Sequence, residues 1–257
     1  MATWTSFPHT RDYAFDATSV RKHWARLHAG DREPLPTNAK VLAAWALLHQ
    51  GEFRKAFDAG MQLGPEGTTV ANKAACMYAN YLEPREKNKH ELFLQAAERA
   101  AAQAAAEPDN ANAHFLHAYA LGRYSQGISV AKALTQGVGG KIKSSLENAI
   151  HLEPGHADAY ITLGTFHAEV IDKVGALIGN MTYGARKDIA LKLFEQGLAL
   201  IPKSPIALIE YANGLVILEG DTRMDEATAL YERAAKTKPL DAVERLDVEI
   251  AQAELAE

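Results

Sequence analysis

Apolar residues recur at intervals of three and four along most of the chain, and polar residues fill the positions between them. That is the period of helices with one buried stripe. No stretch shows sustained apolar/polar alternation rich in Val, Ile, Thr and Tyr, so no strand is required. Alanine, the best helix former, is abundant, while proline and glycine fall between the periodic runs. The pattern predicts an all-α fold of roughly ten to twelve helices for this length.

Four prolines set the phase: Pro108, Pro154, Pro202 and Pro239. Ahead of Pro239 stand Ala227, Tyr231 and Ala234. Ahead of Pro202 stand Ala190, Phe194 and Gly197. Leu146 and Ala149 precede Pro154, and Ala96 and Ala100 precede Pro108. Positions i, i+4 and i+7 share one helical stripe. Small residues there let a neighbouring helix approach, the bulky residue fills the gap, and proline ends the helix. Ala190, Phe194, Ala227 and Tyr231 are therefore expected to be buried. Each proline is followed by another patterned helix: ANAHFLHAYALG with His114, His117, Ala118 and Leu121, ADAYITLGTFH with Tyr160, Leu163 and Gly164, and PIALIEYANGLV with Leu208, Tyr211, Ala212 and Leu215.

These paired patterns resemble the tetratricopeptide repeat (TPR) across roughly residues 90–240. That repeat combines a bulky-x-x-Leu-Gly first helix with an Ala-x-x-x-Phe-x-x-Ala-x-x-x-x-Pro second helix. Gly51-Glu-Phe-Arg-Lys-Ala56 resembles its turn, so residues 37–63 form another expected hairpin. The resemblance implies a right-handed superhelix of hairpins. The domain expectation is an N-terminal arm and helix over 1–36, packing on a repeat domain over 37–257 that ends in a capping helix. Trp4, Phe7, Tyr13 and Phe15, followed by a helix over 18–28, suit an arm that docks.

The proline spacing departs from a 34-residue period. Pro108 and Pro154 are 46 residues apart, Pro154 and Pro202 are 48 apart, and Pro202 and Pro239 are 37 apart. The extra residues lie between the helices of a hairpin, near 124–140 and 170–185. Ile128, Val130, Ala133 and Leu134 in the first insert, and Val174, Leu177, Ile178 and Met181 in the second, predict a short added helix followed by a glycine-rich turn. Long inserts at two successive turns resemble the regulator of microtubule dynamics family and its bacterial relatives. More distantly, the irregular repeats are similar to the T-component of tripartite periplasmic transporters, which encloses a ligand cavity.

Composition narrows the function classes. The 257 residues carry 27 Lys and Arg against 32 Asp and Glu, a formal net charge of −5 without a basic block of the kind nucleic acid requires. The lone Cys76 excludes an internal disulfide framework. No apolar run is long enough to span a bilayer. The N-terminal residues lack the basic and apolar regions of a secretory signal, so a cytoplasmic setting is expected.

Candidate chemistry is sparse. His114 and His117 are spaced to chelate, but they occupy packing slots of the repeat, as does His167, and no third ligand is fixed locally. Gly137-Val-Gly-Gly-Lys-Ile-Lys departs from the phosphate-loop pattern, and a tight turn before a helix starting after Gly140 explains it. Cys76 has no activating neighbour in sequence. Pro84–His90 is expected to be a solvated turn between helices. No metal, cofactor or catalytic residue is expected, and the chain is not expected to be an enzyme.

By resemblance, positions 2, 5, 9, 12 and 13 of each first helix face a concave groove. Those positions hold Asn112, Phe115, Tyr119 and Arg123, then Asp158, Ile161, Thr165 and Glu169, then Ile206, Ile209, Asn213 and Val216, and the candidate groove residues are these without Asp158, Ile206 and Val216. They include no lysine, so a carboxylate clamp of the chaperone-binding kind is not expected. A half-apolar groove suits an amphipathic helix or extended peptide, or an internal plug from the inserts or the N-terminal arm. The expected function is a non-enzymatic adaptor or scaffold holding a protein or peptide partner, with homo-oligomerisation compatible. The alternative is a small-molecule or lipid-binding protein whose inserts roof a cavity.

Overall fold

In the computed structural model, which describes residues 4–256, the described residues form fourteen α-helices and two short 3-10 turns, with no strand. The fold is all-α and built from TPR-like hairpins. Two more α-helices occur among the described residues than the upper expectation, and both inserts carry the added helix expected of them. The chain divides into two compact units. The first comprises the chain up to His28, Arg32–Val138 and Leu240–Val243. The second comprises Ala29–Asp31, Gly139–Pro239 and the residues from Glu244 onward.

The first unit contains α1 (Ala17–Leu27), α2 (Ala39–His49), α3 (Phe53–Gln62), α4 (Thr68–Tyr81), α5 (Glu86–Ala106), α6 (Ala111–Gln126) and α7 (Val130–Thr135). Helix α1 starts at a reciprocal cap: the Asp16 carboxylate accepts from the Ser19 backbone N–H at 2.7 Å, and the Ser19 hydroxyl accepts from the Asp16 N–H at 2.8 Å. Helices α2–α3, α4–α5 and α6 supply successive hairpin elements, each packed on its neighbour. Trp45, Tyr78, Leu42, Leu48 and Leu116 fill the interior. The aromatic arm is docked. Trp4 stacks on Tyr78 at 4.0 Å, and Phe7 lies where Gly51, at φ +85°, leaves room. A Cβ at Gly51 would stand 2.2 Å from the Phe7 ring and would strain the turn. Glu86–His90 form the first turn of α5 rather than a loop, so the expected turn shrinks to the residues around Pro84.

The second unit contains most of α8 (Val138–Leu152), then α9 (Ala157–Val174), α10 (Ala176–Tyr183), α11 (Lys187–Leu200), α12 (Pro205–Glu219), α13 (Met224–Ala235) and most of α14 (Ala242–Glu254). Gly139 and Gly140 lie inside α8, which begins earlier than its glycine content suggests. The repeat code is visible in the packing. Phe194 is fully buried and stacks on Tyr211 at 5.3 Å. Its ring fits between Gly164 and Gly214, where an added Cβ would come to 3.1 Å and 2.4 Å of it. Ala190 and Ala227 are buried as expected, whereas Tyr231 is only half-buried because its hydroxyl reaches Asn213 at the surface.

Candidate ligand-binding surface

In the first unit the candidate residues lie on α6, whose start is fixed by Asn110 accepting from the Ala113 N–H at 3.0 Å. Asn112 is buried, and its side-chain amide donates to Glu33 Oε2 at 2.6 Å. The loop that follows α1 therefore occupies this position. Phe115 is buried with its ring 6.0 Å from Tyr119, and the Arg123 guanidinium lies 5.4 Å over the Tyr119 ring. Tyr119 and Arg123 are half-exposed, so the reachable part of this stripe is its C-terminal half.

In the second unit the candidates lie on α9 and α12. Ile161 and Ile209 belong to the hydrophobic core. Ile161 packs so tightly on α11 that a Cβ at Gly197 would meet it at 2.7 Å. These two isoleucines form a closed floor and not an open apolar groove, because the position-5 side chain fills the space left by the small residue on the neighbouring second helix. Above the floor the surface is polar. Thr165 donates to Glu210 Oε2 at 3.0 Å, Glu169 lies 3.9 Å from Lys173, and Asn213 is exposed and accepts from the Tyr231 hydroxyl. Burial, with Glu254 and Glu210 adding to it, pushes the Tyr231 phenol up to about 12, so it stays a neutral donor. Asp158 is overlaid by Gly30, whose carbonyl accepts from the Asp158 N–H at 3.1 Å.

Several polar groups could not be paired from the sequence. Asp241 Oδ2 lies 2.6 Å from His49 Nδ1, and His49 Nε2 lies 3.3 Å from His28 Nε2, with all three side chains buried in the first unit. The order imitates a catalytic relay, but burial closes it to a substrate, and it serves to anchor Asp241. The buried Glu83 is held at about 2 chiefly by Arg85, and it accepts from the Tyr78 hydroxyl at 2.8 Å. Burial raises the Cys76 thiol to about 12, which removes it as a nucleophile. His114 is half-exposed and pairs with the Pro108 carbonyl instead of filling a packing slot. Among the described residues no group of three or more His, Cys, Asp or Glu is arranged to hold a metal ion.

The family model described as Regulator of microtubule dynamics protein 1-3 matches residues 47–173. The chain is a TPR-like protein related to that family. The matched span ends within α9, so it includes the α7 insert and stops before α10. Among solved structures, this TPR-like protein is similar to a thermophilic TPR protein in Thermus thermophilus. That match has 19% identity and a TM-score of 0.58, covering 83% of this chain and 97% of the other. A second similarity is to an IFIT1 monomeric mutant with Gppp-AAAA, at 16% identity and a TM-score of 0.46, covering 93% of this chain and 59% of that one. No curated protein matches by sequence. Among the described residues no helix is long and apolar enough to cross a membrane.

Proposed function

We propose that this protein is a non-enzymatic scaffold that binds a protein segment on the first-helix faces of its hairpins. The observation that carries this reading is the polar strip of the second unit, where Thr165, Glu169, Glu210 and Asn213 stand above the closed Ile161–Ile209 floor. Helix α12 contributes Glu210 to this strip and no Lys or Arg, its other carboxylate, Glu219, being paired with Lys187 of α11 at 2.6 Å, so an extended segment bearing Lys or Arg is the matching partner. In the first unit, Tyr119 and Arg123 are the accessible candidates. TPR-like folds are generally interaction modules, which supports the absence of catalysis. A cytoplasmic setting fits a chain whose single cysteine is a buried thiol.

Fluorescence anisotropy with a panel of labelled Lys/Arg-bearing peptides tests this. Micromolar binding is expected, weakened at least about tenfold by Asn213→Arg without loss of helical circular dichroism, since a like charge repels the peptide. A panel that does not bind, or binding indifferent to Asn213→Arg, removes the reading.

One observation favours the small-molecule or lipid alternative. Leu177, Ile178 and Met181 on α10 are exposed, with Leu177 at 74% and Met181 at 80%, between Gly175 (φ +83°) and Gly184 (φ +65°). Native mass spectrometry showing a bound non-peptide mass, lost in Leu177→Ser/Met181→Ser, would favour that alternative.

A further inference from the structure

The arm from Trp4 to Asp16 contains no helix or strand, and Phe7 is its one buried residue. Up to the turn at residues 8–12 it is anchored by two rings. Trp4 stacks on Tyr78 of α4 with centroids 4.0 Å apart and planes 11° from parallel, and it lies 5.5 Å from the Phe57 ring of α3. The Arg54 guanidinium stands 5.5 Å over the Trp4 ring. Phe7, three residues on, enters a second socket at Gly51, where an added Cβ would meet both its ring and Ala242, with the Phe53 ring 6.3 Å away. Between the two anchors Thr5 and Ser6 are exposed. All of these residues belong to the first unit.

The wall that receives these rings is braced without the arm. The Tyr78 hydroxyl donates to the Glu83 carboxylate at 2.8 Å, and Glu83 is held in turn by Arg85 at 2.9 Å and by Asn88 at 3.2 Å. The Arg99 guanidinium of α5 supports the Phe57 ring from 5.3 Å, and Arg54 is paired with Asp58 at 2.8 Å. An ionised carboxylate only accepts, so Tyr78 Oη spends its proton on Glu83 and keeps a lone pair for the arm. The Thr5 backbone N–H fills that lone pair at 3.1 Å. Every residue except proline carries this donor, so the bond reads the backbone and not the side chain. Two rings and one backbone N–H are what an extended segment presents.

We propose that these two sockets form a recognition site for an extended protein segment carrying two aromatic side chains three residues apart, and that the arm fills it in cis as a displaceable inhibitor. Trp is the favoured first ring, because indole is the best partner for a cation over its face and its large face suits stacking on Tyr78. The second ring follows within about 10 Å of extended chain. Segments outside helices with little buried surface open at low cost. The turn at residues 8–12 is closed by the Asp12 N–H on the His9 carbonyl at 3.0 Å, and beyond it the Gln50 side chain holds the Phe15 carbonyl next to α1. Residues 4–7 can therefore leave while α1 stays in place. A tethered arm competes at an effective concentration on the order of millimolar, so a partner takes the site by adding contacts beyond the two rings. This site goes beyond the scaffold reading and does not involve the polar strip on α9 and α12.

The probe is a labelled synthetic peptide with the sequence of residues 1–10, titrated by fluorescence anisotropy into the full chain and into its Trp4→Ala/Phe7→Ala variant. Saturable binding to the variant is expected, with at least about tenfold weaker binding to the parent, whose own arm competes. The same peptide with both rings replaced by alanine is expected not to bind. Tyr78→Phe, added to the variant, is expected to weaken the peptide severalfold, because the backbone N–H loses its acceptor. Trp4→Ala alone, which leaves the buried Phe7 in place, is expected to admit the peptide with intermediate affinity, and it decides by the same criteria if the double variant loses its helical circular dichroism. No saturable binding to either variant, equal affinity for parent and variants, or binding indifferent to the peptide's rings would each overturn the proposal. A concentration-dependent dimer of the parent, lost in Trp4→Ala, would overturn it by making the arm of a second copy the occupant.

Discussion

The side-chain amide of Asn112 donates to the Glu33 carboxylate at 2.6 Å, so a residue on the first-helix face of α6 is occupied by the chain's own N-terminal region. Glu33 also accepts from the Trp24 indole N–H at 2.8 Å through its backbone carbonyl, which holds the loop against α1. Glu33→Ala removes a charge-assisted hydrogen bond and leaves a buried amide under-satisfied. A loss of about 1–3 kcal/mol is expected in urea unfolding. An unchanged midpoint would show that the loop does not depend on this contact.

The Phe194 ring between Gly164 and Gly214 is the core of the repeat packing in the second unit. Phe194→Ala is expected to cost about 3–5 kcal/mol, as large aromatic deletions in a core do. Gly214→Ala is expected to destabilise by about 1–3 kcal/mol through overpacking, since its Cβ would stand 2.4 Å from Phe194. A thermal melt of either variant within error of the parent would contradict this packing.

His167 Nδ1 accepts from the Arg186 N–H at 3.2 Å, and burial, with Lys143 adding to it, lowers the imidazole to about 4. The folded chain thus keeps His167 neutral where the unfolded chain binds a proton. Stability is full above the ordinary histidine value near 6.5 and falls as pH drops toward about 4. The loss is on the order of 3 kcal/mol over that window. Chemical denaturation from pH 7 to pH 4 should show this slope, and His167→Gln should flatten it. An identical slope in the variant would assign the acid sensitivity to other groups.

Asp241 is the acceptor for a buried imidazole. Asp241→Ala leaves His49 Nδ1 without it, and a loss of about 1–3 kcal/mol is expected. Hydrogen exchange should quicken in residues 240–243 of the variant. Unaltered exchange there would mean that the pair does not anchor the segment.

Much of the fold was legible because its rules are local. The small–bulky–small spacing around Ala190, Phe194 and Gly197 specifies a helix pair within a few turns, and apolar periodicity located the added helices α7 and α10. The candidate surface was legible only in part. Thr165 and Asn213 stand at the surface, but whether Ile161 points to solvent or to the core depends on Gly197 of the neighbouring helix, which a stripe on one helix does not encode. Glu33 beside Asn112 and Asp241 beside His49 are products of tertiary folding, 79 and 192 residues apart in sequence.

The scaffold reading is tested most directly by site-specific photo-crosslinking. A benzophenone amino acid at Asn213, exposed on α12, is compared with the same group at Lys192, exposed on the second helix α11. With a bound Lys/Arg-bearing peptide, a discrete cross-linked adduct is expected from position 213, suppressed by excess unlabelled peptide, and none from position 192. Equal labelling at both positions, or labelling at 213 that excess peptide does not suppress, would contradict the assignment of this face as the partner surface.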